Sequence, residues 1–173
     1  MDDPSTNDGN IYGPSHGHII CVQLQRFIQL SPHVAAGLID AKALAGYRHG
    51  PGFIRHSQHV PPRWEVVPEA MNAVLELIEG EAEAAVRAVL GHWLLGYVHP
   101  FPDGNGRVAR FVMNTLLVAG GYPWTIIQVD DRDAYLATLE AASVTGEVRP
   151  FAQFVARQMQ RTGALLEENH RDR

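Results

Sequence analysis

Apolar positions recur with a helical period over most of this chain. Met71, Val74, Leu75 and Ile78 fall at i, i+3, i+4 and i+7, which predicts a helix with one buried stripe that ends at Gly80. Val86, Val89, Leu90, Trp93, Leu94 and Tyr97 repeat the spacing, and Pro100 sets the end because the residue before a proline is pushed out of helical geometry. A third helix is predicted from about Arg107, with Val108, Phe111, Val112 and Leu116 turned inward and a stop at Gly120-Gly121. Two more follow, about Asp131–Ser143 (Tyr135, Leu136, Leu139) and Pro150–Gln160 (Phe151, Phe154, Val155). Upstream, a short apolar-rich stretch from Cys21 to Leu30 leads to Ser31-Pro32, an N-cap and N1 proline that open a helix to about Leu44. The predicted fold class is all-α.

The period fails in two places. From Arg48 to Pro62, Gly and Pro stand at both ends of a short β-capable centre, Phe53-Ile54-Arg55, which reads as a loop or hairpin. Residues 1–18 are rich in Asp, Ser, Asn, Gly and Pro and read as a flexible leader. No repeat or linker interrupts the remainder. The expected division is a leader at 1–18, one domain over 19–162, and a C-terminal tail at 163–173.

Composition narrows the classes. A chain of 173 residues fits one domain, and 46% hydrophobic against 19% charged residues rules out wholesale disorder. The net charge of −5 argues against holding nucleic acid by bulk electrostatics. One cysteine, Cys21, excludes an internal disulfide framework and fits a reducing compartment, so a cytoplasmic location is expected. No run approaches the roughly 18 apolar residues of a membrane helix, and the acidic start lacks the features of a secretory signal.

Chemistry concentrates in HPFPDGNGRVAR, His99 to Arg110, between two helices. Glycines at 104 and 106 let successive backbone N–H groups point into one concavity, and the N-terminus of the next helix adds partial positive charge, which makes an anion site. Arg107 and Arg110, spaced i, i+3 in the first turn, can both lean over it, and arginine forks suit phosphate oxygens. Asp103 stands at the rim, where one carboxylate plus substrate phosphates is the usual way to hold Mg²⁺. His99 is a candidate general base. Each feature also has an ordinary explanation: a surface turn, a loop histidine, a solvated arginine face. Order and density favour a nucleotide phosphate site. His16 and His18 lack a third metal ligand, His92 reads as a core or capping residue, and Trp64, Trp93 and Trp124 read as packing aromatics.

The stretch resembles the Fic family signature HxFx(D/E)GNGRxxR, with all eight specified positions filled, a chance agreement on the order of 10⁻¹⁰ per start position. Similarity extends to SQHVPPRWEVVPEAM, MNTLLVAGGYPW and YLATLEAASVTGEVRPFAQFV, so it covers about Gly46 to Gln160. The resemblance implies a Fic fold, a helical bundle with a short β-hairpin flap, and transfer of AMP from ATP to a Ser, Thr or Tyr hydroxyl of a target protein. On that basis His99 is expected to take the hydroxyl proton and Asp103 to hold Mg²⁺. Gly104, Asn105 and Gly106 would form the anion nest, with the Asn105 side chain near the α-phosphate, and Arg107 and Arg110 would neutralise the β- and γ-phosphates. Phe101 would anchor the loop, and Tyr135 and Leu136 would border the adenine. The target would dock along the flap near Phe53–Gln58. Many family members carry Asn where Ser143 aligns.

The resemblance also implies regulation. Family members often carry an inhibitory [S/T]xxxE[G/N] segment whose Glu pairs with the second motif arginine, here Arg110. The nearest match, Ala164 to Asn169 with Glu168, has alanine at the hydroxyl position, and an ordinary acidic tail explains it equally well. Inhibition by a partner protein and AMP removal stay open. The competing functions are a catalytically silent or self-inhibited nucleotide- or partner-binding module, and a metal-dependent nucleotide hydrolase. The intact His99 and both arginines favour the transferase.

Overall fold

A helix that is apolar on every face must be covered on every face, and Ala84–Val98 is that helix. In the computed structural model, which describes residues 46–171, five helices follow one another: α1 (Val67–Gly80), α2 (Ala84–Val98), α3 (Asn105–Ala119), α4 (Arg132–Thr145) and α5 (Arg149–Arg171). Single 3-10 turns at Trp64–Val66 and Val129–Asp131 lead into α1 and α4. Helix α2 sits in the middle and touches the other four. The leader, His16, His18, Cys21, the stretch to Leu30 and the helix expected from Ser31 to Leu44 lie outside the described residues.

Two cores flank α2. One joins α1, α2 and α3 through Met71, Val74, Ile78, Leu95, Val98, Val108 and Val112, with Phe101 from the connecting loop. The other joins α2 and α3 to α4 and α5 through Ala88, Met113, Leu117, Tyr135, Phe151, Phe154 and Val155. Phe151 and Phe154 are fully buried, and truncating either to alanine costs roughly 3–5 kcal/mol. Gly91 permits the close approach of three helices: a Cβ there would stand 3.1 Å from Leu116 and 3.2 Å from Ile78.

The helices fall where the periodicity places them, with three differences. Val86, expected inward, is exposed, because α2 buries Ala88, Val89, His92 and Leu95 instead. Helix α3 starts at Asn105 rather than Arg107, because the Gly104 carbonyl accepts from both the Arg107 and Val108 N–H groups at 2.9 and 3.0 Å. Helix α5 does not stop near Gln160. It passes through Gly163 to Arg171, helped by an Arg161–Asp131 ion pair of 3.0 Å and by Thr162, whose hydroxyl accepts from the Ile126 N–H at 3.5 Å. The expected tail is therefore helical up to Arg171.

The expected flap segment carries no strand pairing. Among the described residues there is no β-strand, and the expected hairpin is an extended segment with a turn at Arg55-His56, closed by Ser57 N–H donating to the Ile54 carbonyl at 3.2 Å. Pro51, Pro61 and Pro62 cannot donate to a ladder. The segment's polar groups bond instead to Arg48, Tyr97 and Glu140. No helix among the described residues is long and apolar enough to cross a membrane.

Candidate active site

Pro100 ends α2, and the residue it displaces is His99, which adopts left-handed φ 50°, ψ 56°. A non-glycine residue pays on the order of 1–3 kcal/mol for such a conformation unless its surroundings enforce it. Arg48 enforces it. Its buried guanidinium donates to the His99 carbonyl at 2.8 Å, to Gly50 at 2.8 Å, to Val98 at 3.4 Å and to Pro62. The Arg48 backbone N–H donates to the Pro100 carbonyl at 2.8 Å. Burial pushes the His99 ring below its ordinary value, with smaller pushes from Arg48 and His59, against a bond from the ring to the Gly96 carbonyl and the charge of Asp103. His99 is therefore neutral at pH 7 and can accept a proton.

The following loop closes on itself. Phe101 is buried against Tyr47, ring centroids 5.9 Å apart. The Asn105 amide, also buried, accepts from the Phe101 N–H at 2.9 Å and donates to the Phe101 carbonyl at 2.8 Å. The Asn105 side chain, expected near the α-phosphate, is engaged with the loop backbone in this structure. Phe101 anchors the loop as expected. Gly104 sits at φ +83°, where a Cβ would be strained, and the N–H groups of the first α3 turn open outward beyond it.

A cavity of about 440 Å³ opens at this helix start, lined by His99, Gly106 and Arg110 on one side and by Leu136, Glu140 and Ser143 of α4 on another. Ile54 to Ser57 of the flap cover it, and Trp93 and His92 stand in its wall. Trp93 donates to the Ser143 hydroxyl at 3.3 Å, so this tryptophan is more than packing. Tyr135 is deeply buried, with its hydroxyl 3.0 Å from His92 Nε2 and within the influence of the Arg110 charge. Burial, reinforced by the Arg110 charge, pushes His92 down to about 3, and it raises Tyr135. Leu136, by contrast, is part-exposed on the cavity wall.

The two motif arginines separate. Arg110 borders the main cavity and also a shallower hollow of about 310 Å³ with Trp124, Thr125 and Ile126; Arg107 borders only the hollow. Arg107 bonds Asp103 at 3.1 Å, both side chains about one-third exposed. A pair that exposed contributes little, on the order of 0–1 kcal/mol, and opens readily. Asn114 sets the hollow's floor: its amide accepts from Thr125 N–H at 2.6 Å and donates to the Arg110 carbonyl at 3.1 Å.

The sequence profile of the Fic/DOC family matches residues 23–117. The chain belongs to the Fic/DOC family. Over 110 residues it is 42% identical to a protein of Nematostella vectensis named protein adenylyltransferase Fic, covering 61% of this chain and 26% of that protein. Protein adenylyltransferase fic-1 of Caenorhabditis elegans is 36% identical over 97 residues, 54% of this chain and 19% of its own length. The chain thus spans about a quarter or less of these relatives. Among solved structures, a fragment of Fic-1 from C. elegans superposes with a TM-score of 0.65 at 24% identity, over 98% of this chain and 56% of that one. BepC of Bartonella tribocorum, solved with bound AMPPNP, superposes with a TM-score of 0.55 at 13% identity, over 82% and 83%. These likenesses show a Fic fold, and the whole described chain shares it.

In this Fic domain the structure brings together five of the expected site residues, His99, Gly106, Arg110, Tyr135 and Leu136, around one cavity. Asp103 and Arg107 stand at the neighbouring rim. Sequence reading missed Arg48, His59 and Glu140. His59 stacks on Tyr97 with centroids 4.1 Å apart and its Nε2 lies 2.9 Å from the Tyr97 carbonyl. Their contacts to Val98, His99, Tyr97, Ser57 and Gln58 span 38 to 83 positions, which no local pattern signals.

Proposed function

We propose that this chain is the catalytic domain of a protein adenylyltransferase, moving AMP from ATP to a Ser, Thr or Tyr hydroxyl of a target protein. The observation that carries this is the convergence of a neutral His99, the opening turn of α3 and Arg110 on one cavity. The names of the curated relatives support the same reaction.

In this mechanism His99 accepts the proton of the target hydroxyl as the oxygen forms its bond to the α-phosphorus. The bond from that phosphorus to the bridging oxygen breaks, and pyrophosphate leaves with the electron pair. The Gly104–Gly106 backbone and the positive end of α3 take up charge that grows on the α-phosphate. Arg110, beside Tyr135, and Arg107, freed from Asp103, neutralise the remaining phosphates. Leu136 gives the adenine an apolar wall, with Tyr135 behind it. The target's backbone docks along Phe53–Gln58, where Phe53 is 83% exposed. We assign the domain to the cytoplasm on its single cysteine.

Magnesium fits this site in one way only. Among the described residues no three His, Cys, Asp or Glu side chains converge, and the carboxylate assigned here to the metal is Asp103, beside Arg107. One carboxylate completed by nucleotide oxygens and water is an ordinary magnesium shell. Asp103 would hold the ion, which supplies charge neutralisation on the phosphates when bound. Asp103→Ala should make the nucleotide Kd the same with and without magnesium; an unchanged metal response removes Asp103 from that role.

The decisive experiment incubates the purified protein with α-labelled ATP, magnesium and a host lysate. Label should appear on lysate protein and fall roughly 10²–10⁴-fold in His99→Ala, with nucleotide still bound. Bound nucleotide without labelled protein in the wild type would indicate a silent binding module. Free AMP without labelled protein would indicate a hydrolase.

A further inference from the structure

The flap segment is fastened at its far end by a residue outside the signature. Glu140, on α4, accepts from the Ser57 hydroxyl at 2.5 Å and from the Gln58 backbone N–H at 2.7 Å. The Ser57 oxygen in turn accepts from the His59 N–H at 3.0 Å, so three consecutive flap residues are organised around one carboxylate. Residues of α4, Ile54 to Ser57 and His99 all line the same cavity. Both ends of the segment are also fixed by Arg48, through Gly50 and Pro62. Between these anchors the Arg55-His56 turn stands exposed, with His56 at φ +61°.

We propose that Glu140 is a positioning residue that latches the flap to the nucleotide-side helix, and that this latch sets where an incoming target chain lies relative to His99. The proposal rests on the adenylyltransferase reading. A carboxylate suits the task because it accepts two hydrogen bonds at once, and bonds to a charged acceptor are the stronger kind. Without Glu140 the Ser57 and Gln58 donors turn to water, and the turn is left hanging from Arg48 and His59. The target would then meet a flap of varied orientation, which weakens docking more than nucleotide binding.

Trypsin tests the latch without any assay of transfer, because Arg55 lies within the latched turn. Glu140→Ala should speed cleavage after Arg55 roughly 10-fold, since cleavage follows the population of the opened segment. Glu140→Gln, whose amide can still accept from Gln58 and donate to Ser57, should cleave at an intermediate rate, and Ser57→Ala likewise. With α-labelled ATP and titrated lysate as acceptor, Glu140→Ala should raise the half-saturating lysate concentration roughly 5- to 10-fold. Because Glu140 also lines the cavity, the variant's Kd for a non-hydrolysable ATP analogue should change by less than the half-saturating lysate concentration does. An unchanged cleavage rate in Glu140→Ala overturns the latch. Faster cleavage with an unchanged half-saturating concentration overturns its role in target placement. A wild-type protein that labels nothing would sink the transferase reading instead, and the cleavage rates would still decide whether the latch exists.

Discussion

The loop from Pro100 to Gly106 and the flap from Arg48 to Pro62 border the same site, yet they are held by different means. The loop is held by its neighbours. Phe101 and Asn105 bond each other across four positions, Asp103 and Arg107 pair across four, and Gly104 starts the helix that follows. The flap is held from afar: His59 by Tyr97, Ser57 and Gln58 by Glu140, and both ends by an arginine that also grips His99. The residues proposed to meet phosphate thus sit on a largely local scaffold, braced from outside by Tyr47 and the Arg48 backbone. The segment proposed to meet the target depends on contacts that can open singly.

If the loop is held chiefly by its own residues, one residue should unmake it, with a larger effect than any single flap substitution. Asn105→Ala leaves the buried Phe101 N–H and carbonyl without partners, which costs about 1–3 kcal/mol for each unsatisfied group. The melting temperature should fall by several degrees, and transfer should fall with it as Gly106 and Arg110 lose their place. Asn105→Asp restores the acceptor but not the donor and should recover part of the loss. A melting temperature within one degree of wild type for Asn105→Ala would show that the loop has other support.

What could be read ahead of the structure follows the same division. The five described helices, the stop at Pro100 and the glycine turn that opens α3 were legible because each depends on residues within a few positions: an apolar period, a proline, a Gly-Asn-Gly run. The bonds of the Asn105 side chain to Phe101 were not legible, since a polar residue in a glycine-rich turn gives no sign that its amide holds the backbone behind it. Arg48 and Glu140 were not legible at all, being ordinary charged residues until folding places them beside Pro100 and Ser57. The end of α5 was misplaced because Gly163 resembles a stop, whereas Arg161 and Thr162 tie the helix to Asp131 and Ile126.

Behind both regions lies His92, and it sharpens the comparison through pH. Its folded value is about 3 against an ordinary 6.5, so between those limits the unfolded chain binds more protons than the folded one. Stability from this group is complete above about pH 6.5 and declines as pH falls, with a limiting slope of about 1.4 kcal/mol per pH unit. His99 is shifted in the same direction and adds to the trend. Melting temperatures should therefore drop between pH 6.5 and 5, before most carboxylates titrate, and His92→Gln should flatten much of that drop. An equal drop in wild type and His92→Gln would mean that the acid sensitivity lies elsewhere. The loop and Arg110 rest on this core, so they should lose order in acid together with the fold.

The smallest effect is expected furthest from the contrast, at Glu168. It lies on the continuous α5 helix, and among the described residues no ion pair joins it to Arg110. Arg110 instead stands near the Tyr135 hydroxyl. A glutamate that inhibited by capturing Arg110 would have to leave the exposed side of α5 and draw Arg110 away from it. Glu168→Gly should thus leave transfer within about 2-fold of wild type, and the glycine should cost no more than the roughly 1 kcal/mol typical of a helix interior. A several-fold rise in labelled protein would show that the helix end folds back onto the site. The division between a self-held loop and a remotely held flap would then gain a third member, an arginine held in check by the chain's own C-terminal helix.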